Sequence, residues 1–275
     1  MTTIAEPRAA TAAGARPPVA ASTVFLALIR RDLRVAQREL PFFLIRTVMQ
    51  PLLFIVVFGY LLPKMGFLHQ SYTTSLLPGV LAVSLTLSAV QSVALPLVQD
   101  FGWTREIEDR LLAPISVDLI AAEKIVVGVL QGVVAALVVF PIARLIMGPI
   151  DGLSFANLGG LLAVTVLGAA TFSALGLLMG TSISPQQIGL MFSIIVAPMI
   201  FFGCAYYPWR GLAVIPWLQY LVLLNPLVYV AEGMRGALTP EVHPMPLAAT
   251  LGALLVLLSL FSALGMRSFR RRAIG

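Results

Sequence analysis

The fold class predicted here is an all-α polytopic membrane protein, and three observations predict it. The chain has 275 residues, of which 59% are hydrophobic and only 11% charged, and its mean hydropathy is +0.96. The charges are clustered, leaving uncharged runs at 76–99, 125–143, 152–209 and 242–266, with a shorter one at 52–63. Uncharged apolar runs of about 18 residues or more are long enough to cross hydrocarbon as helices. None of them shows the alternation of a membrane barrel strand, and within hydrocarbon a helix satisfies its own backbone.

The elements follow in chain order. Residues 1–23, rich in Ala, Pro and Thr, read as a disordered cytoplasmic tail without the apolar stretch of a cleavable signal peptide. Residues 24–40, VFLALIRRDLRVAQREL, place Leu26, Ile29, Leu33, Ala36 and Leu40 on one helical face. Arg30, Arg34 and Arg38 lie on another, with Arg31 beside them. This is an amphipathic interfacial helix whose arginines suit anionic headgroups; a passive anchor is the plainer reading. A transmembrane domain over 41–266 then carries six spans, near 42–62, 76–99, 119–147, 156–180, 187–205 and 246–266. The chain closes with a basic cytoplasmic tail, 267–275.

Six spans put both termini on one side. Fourteen of the 18 Lys and Arg fall on that side, leaving Lys64, Arg144, Arg210 and Arg235 on the other. The excess of basic residues marks the cytoplasmic face. The net charge of +6 and the pI near 10.0 therefore belong to membrane topology rather than to nucleic acid. One segment tests this scheme. Residues 211–231 are also uncharged, but a seventh span there would move the basic C-terminus outside. Pro216, Asn225 and Pro226 interrupt that segment. It is read as a pair of short re-entrant helices within 206–240, dipping in from outside.

The densest charge cluster is TREIEDRLLAPIS, 104–116, with five charged residues in thirteen. Glu106 and Arg110 are four apart, and Arg105 lies three and four residues from Glu108 and Asp109. Ile107 and Leu111 share the opposing face, and Pro114 disfavours helix at Ala113. A short amphipathic helix over 104–114, in a cytoplasmic loop, follows. A solvated loop or a surface-lying helix is the bland reading. Its mix of two basic and three acidic groups suits a protein partner better than an anionic bilayer.

Polar side chains inside the spans are candidates for a substrate path: Gln50, Ser88 and Gln91, with Ser84, Thr86, Ser92 and Gln131 nearby in sequence. Helix-to-helix hydrogen bonding is the commoner use of such groups. Small residues over 160–180 are spaced as in closely packed helices. The two lysines, Lys64 and Lys124, sit in no phosphate loop. No paired-aspartate, His-Glu-x-x-His or Gly-x-Ser-x-Gly motif is present, Cys204 is the single cysteine, and no metal site is expected. No acidic residue is placed at mid-membrane depth, where a proton-coupled carrier keeps one. The chain reads as neither an ATPase nor an enzyme, and its energy is expected from a partner.

Two stretches carry a family resemblance. REIEDRLLAPISVDLIAAEKI (105–125) is a charged segment followed by a Pro-Ile-Ser turn. FFGCAYYPWRGLAVIPWLQYLVLLNPLVYVAEGMRGAL (201–238) holds Gly-x-x-Tyr-Pro, Pro-Trp-Leu, Asn-Pro-Leu and a following Arg; Pro-Gly-Val at 78–80 joins them. Together these resemble the membrane subunits of ABC type-2 exporters, over about residues 24–272, nearest in look to drug, antibiotic or lipid exporters. The resemblance implies a dimer of permeases, the second copy identical or merely similar, in a bacterial inner membrane with both termini cytoplasmic. It implies a separate cytoplasmic ATPase subunit that binds ATP and Mg, while this chain binds no cofactor.

It also implies a coupling helix formed by Arg105, Glu106, Ile107, Glu108, Asp109, Arg110, Leu111, Leu112 and Pro114. Arg30, Arg31, Arg34 and Arg38 would belong to the interfacial helix. Gly203, Tyr206, Tyr207, Pro208, Pro216, Asn225 and Pro226 would form an outer re-entrant gate. A hydrophobic or amphipathic substrate would leave the cytoplasm or inner leaflet. A polysaccharide or glycolipid exporter of the same family, an ATPase-independent secondary carrier, an intramembrane enzyme and a scaffold protein remain as alternatives.

Overall fold

Uncharged runs separated by polar breaks fold as helices in this chain. The computed structural model describes residues 21–38, 40–69, 72–104 and 116–274, and among them every regular element is helical. Helix α1 is Ala21–Arg38. Helix α2, Leu40–Phe54, continues through a π-helical segment, Ile55–Leu61, into Leu62–Lys64. Helix α3, Tyr72–Gln99, passes into a π-helical turn, Asp100–Thr104. Helices α4, Val117–Met147, and α5, Leu158–Ser182, are continuous. Helix α6 is the run Pro185–Phe201, with a π segment at Phe192–Val196. Helices α7, Pro216–Leu224, and α8, Pro226–Leu238, form a bent pair, and α9 is Leu247–Ile274.

Among the described residues five stretches are long and apolar enough to cross a membrane: Thr47–Lys64, Tyr72–Gly102, Val117–Met147, Leu158–Ser182 and Leu247–Ala273. They match the expected first four spans and the last. The expected span at 187–205 is shorter, the run Pro185–Phe201. It runs from one end of the bundle to its middle. At one end a Cβ on Gly102 would fall 2.2 Å from the Pro185 ring. At mid-depth, the Met199 carbonyl accepts a hydrogen bond from Asn225. The expected 1–23 tail lies outside the described residues except for its last three, which begin α1. The basic stretch expected as a tail after 266 is instead the last turns of α9.

Helix α3 is the central element, buried along nearly its whole length. Helix α5 packs against it through missing side chains. A Cβ on Gly176 would stand 2.8 Å from the Val90 carbonyl, and one on Gly180 would stand 3.0 Å from the Ala94 backbone. This is the close approach that small residues permit between membrane helices. Thr171 of α5 donates to the Leu254 carbonyl of α9 at 3.3 Å. Some polar residues of α3 satisfy themselves locally: Ser84 donates to the Val80 carbonyl at 2.8 Å and Thr86 to that of Ala82 at 2.7 Å.

Helix α1 turns Arg30, Arg31, Arg34 and Arg38 outward. Its half-buried positions include Phe25, Leu28, Ile29, Asp32, Leu33 and Ala36. Leu26, expected on the apolar face, is half-exposed, because the face centres one residue earlier. It is completed by an ion pair: Lys124 of α4 donates to the Asp32 carboxylate at 2.5 Å.

Candidate functional site

The bundle has two differently built ends. At the basal end lie α1, the start of α4 and the close of α9. At the far end lie the start of α3, the segment 202–216 and the end of α8.

The far end is organised around a fully buried ion pair on α8. Arg235 and Glu232, three residues apart, face the same side of the helix, with Nη1 donating to Oε1 at 2.7 Å. Arg235 uses three further N–H donors on main-chain carbonyls: Ser75 of α3 at 3.1 Å, Cys204 at 2.5 Å and Ala205 at 2.9 Å. Four of the five guanidinium donors are thereby engaged. Glu232 accepts from the Trp209 amide at 2.9 Å and the Met245 amide at 3.1 Å. Burying two charges costs several kcal/mol each, which such pairing offsets rather than exceeds. The arrangement therefore fixes geometry: one side-chain pair ties α3, the 202–209 segment, α8 and the approach to α9 together.

The seven residues expected at an outer gate run from the segment beside this pair to the break between α7 and α8. Gly203 lies where a Cβ would meet the Leu227 side chain at 2.4 Å. Tyr206 stacks on Phe54 of α2 with centroids 4.4 Å apart, and its carbonyl accepts from the Tyr72 hydroxyl at 2.7 Å. Tyr207 donates to the Phe201 carbonyl at 2.9 Å. Pro208 precedes a 3-10 turn, Trp209–Val214, and Pro216 opens α7. Asn225 caps α8, accepting from the Leu227 amide at 3.0 Å while donating to the Met199 carbonyl at 2.6 Å. Pro226 takes the first helical position, where its missing N–H costs nothing.

Helices α7 and α8 bend by 100° at this break. Leu227, just after it, borders a small void with Thr86, Leu87, Val90 and Phe172, near the middles of α3 and α5. The break is thus held at mid-depth of the bundle. Cys204, buried with φ +52°, lies under the pair.

Pro-Gly-Val at 78–80 has its physical reason here. A Cβ on Gly79 would stand 1.6 Å from the Ala205 carbonyl oxygen. Only a glycine lets the 202–206 segment lie on α3.

At the basal end the described chain breaks off at 104 and resumes at 116. The nine residues expected to form the coupling helix, Arg105–Leu112 and Pro114, lie outside the described residues, but the roots on either side of the loop do not. On one side, Phe101 packs edge-on against Phe269 of α9 at 5.7 Å, and Arg272 lies 4.9 Å over its ring. On the other, Asp118 of α4 is held by Arg270 in a two-pronged ion pair. Phe269 is fully buried among Val93, Leu97, Ile120, Ala121 and Leu177. Arg272 also donates to the Thr181 and Ile183 carbonyls, each at 3.0 Å, capping the end of α5. The last turns of α9 therefore tie both roots of the loop to α4 and α5.

Of the expected path residues, Ser88 donates across to the Gln131 carbonyl of α4 at 3.2 Å, while Gln50 and Gln91 are half-buried on α2 and α3. Sequence reasoning did not single out Glu232, Asp32, Asp118, Arg270 or Arg272, and took Arg235 for an outer charge. It also placed no acid at mid-membrane depth. The structure buries two carboxylates fully inside the bundle, Glu232 toward the far end and Glu123 toward the basal end. Among the described residues no cluster of His, Cys, Asp and Glu could hold a metal ion.

Residues 23–239 match the family of ABC-2 type transporters, most of the chain. The chain belongs to the ABC-2 type transporter family. Among its relatives is the inner membrane transport permease YadH of Escherichia coli K12, 29% identical over 248 residues, covering 88% of this chain and 91% of that one. The same protein in E. coli O157:H7 and in Shigella flexneri matches equally. The ABC-2 family match covers both the far-end network and the basal loop. As a membrane permease of an ABC transporter, the chain is not itself the ATPase, and membership implies an ABC ATPase partner.

Proposed function

We propose that this chain is the permease subunit of an ABC exporter in a bacterial inner membrane, driven by a separate ATPase that docks on residues 104–114. One observation carries the reading: both roots of that loop are tied to the last turns of α9, through Phe101 with Phe269 and Arg272, and through Asp118 with Arg270. A load applied to the loop is passed to α4, α5 and α9 together. A merely solvated loop needs no such bracing.

In this reading the partner binds ATP with Mg, and its closure presses on the charged helix. The permease works as a pair of copies, identical or similar, with both termini in the cytoplasm. The interfacial arginines of α1 rest on headgroups, and Asp32 with Lys124 keeps α1 moving with α4. The V of α7 and α8, locked by Arg235 and Glu232, closes the outer side. The substrate is hydrophobic or amphipathic, of drug, antibiotic or lipid type, moved from the cytoplasm or inner leaflet outward along a path bordered by Gln50, Ser88 and Gln91. Glu232 has its charge matched by Arg235 and both oxygens hydrogen-bonded, so it serves the lock of the outer side.

The test is co-purification of the chain with its ATPase partner, reconstitution in proteoliposomes, and measurement of ATP hydrolysis and export for candidate substrates. ATP-dependent export of an amphipathic compound supports the reading. Export driven by a proton gradient without ATP would refute it.

A further inference from the structure

The basic close of α9 divides its four arginines between two tasks. Arg270 and Arg272 are engaged, the exposed Arg270 by Asp118 and the half-buried Arg272 by the carbonyls at the end of α5. Arg267 and Arg271 point outward, are exposed, and have no partner among the described residues. They sit one helical turn apart beside a cleft of about 400 Å³ between α5 and α9, lined by Leu178, Leu264, Arg267, Ser268 and Arg271.

Along α9 the exposed positions Val256, Leu260 and Leu264 lead to Arg267 and Arg271 in steps of four, four, three and four, which is one helix face. Val256 is 68% exposed, Leu260 48% and Leu264 43%. From Val256 to Leu264 the apolar track is about 12 Å long, at 1.5 Å per residue. It then gives way to two exposed guanidiniums at the end of a membrane-length helix.

We propose that this face binds one anionic phospholipid: its phosphate between Arg267 and Arg271, with an acyl chain along Leu264, Leu260 and Val256. Charge complementarity selects an anionic headgroup. The uncovered apolar track continuing beneath it selects a lipid over a soluble anion or an acidic peptide, neither of which would cover that track. The inference rests on α9 crossing the membrane and is independent of ATPase coupling.

The experiment uses the full chain in nanodiscs of phosphatidylcholine alone or with phosphatidylglycerol, followed by native mass spectrometry and thermal unfolding. The wild type should retain phosphatidylglycerol and unfold at a higher temperature in its presence. R267Q/R271Q should weaken that retention on the order of ten- to thirty-fold, and R267K/R271K should keep most of it. Soluble glycerol phosphate should give no protection. Equal retention by R267Q/R271Q and wild type would overturn the proposal, as would full protection by glycerol phosphate. Unaltered lipid retention combined with lost self-association or lost ATPase capture would assign the cleft to a protein and overturn it as well.

Discussion

Replacing Arg235 with methionine gives a sharp test of the far-end network. Methionine fills part of the space but donates no hydrogen bond. Glu232 stays fully buried, still holding the Trp209 and Met245 amides, but its charge loses its counterpart. Removing one member of a buried pair costs about 3–5 kcal/mol. The carbonyls of Ser75, Cys204 and Ala205 also lose their donor, which keeps the loss at the upper part of that range. In a chain of this size that corresponds to a fall in apparent Tm of roughly ten degrees.

The assay is size-exclusion chromatography of the detergent-solubilised protein after heating. The double variant R235M/E232M removes both charges, so its loss should be smaller than the sum of the two single losses by about 1–3 kcal/mol. It should not return to wild type, because two amides and three carbonyls still lack partners. An R235M protein melting within a degree or two of wild type would refute the reasoning. Strict additivity in the double variant would do the same.

Three further outcomes are expected. Gly79→Ala places a Cβ against the Ala205 carbonyl and should lift the 202–206 segment; the single cysteine, buried Cys204, should then react faster with maleimide, and an unchanged rate would count against the packing argument. Arg272→Gln removes the cap on α5 and the contact with Phe101. It should leave basal ATP hydrolysis by the partner intact while lowering transport per ATP; a proportional loss of both would contradict a coupling role. Asp109→Arg should uncouple hydrolysis from transport without reducing the amount of protein in the membrane, read by parallel ATPase, export and immunoblot measurements, and unaltered transport would remove the docking model.

The spans were legible because their signal is local: an uncharged run has one outcome in hydrocarbon. The break at Asn225–Pro226 was legible for the same reason, since a cap residue and a proline end or start a helix wherever they stand. What escaped notice depends on distant partners. Arg235 looks like one of four outer charges until Ser75, 160 positions earlier, and the carbonyls of Cys204 and Ala205 are brought to it. The i,i+3 spacing of Glu232 and Arg235 was the available clue, and counting Arg235 toward topology hid it. Asp32 and Lys124 are 92 residues apart, and nothing local joins them. Gly79 was visible as part of a motif, but its reason lies in a carbonyl 126 positions away. The basic C-terminus read as a tail because its charges suggested solvent, whereas Phe269 is buried, Arg270 pairs with Asp118 and Arg272 holds the carbonyls at the end of α5.

The π-helical stretches Ile55–Leu61, Asp100–Thr104 and Phe192–Val196 fall on α2, at the end of α3 and on α6. No such stretch interrupts α4, α5 or α9. A π turn holds more residues per hydrogen-bonded ring than an α turn. Winding it into α geometry lets a helix advance its register by about one residue, turning everything beyond by about 100° and sliding it about 1.5 Å. These three helices thus carry slack within their own hydrogen bonding. Helices α4, α5 and α9 have no such reserve and can pass on a load only as whole rods.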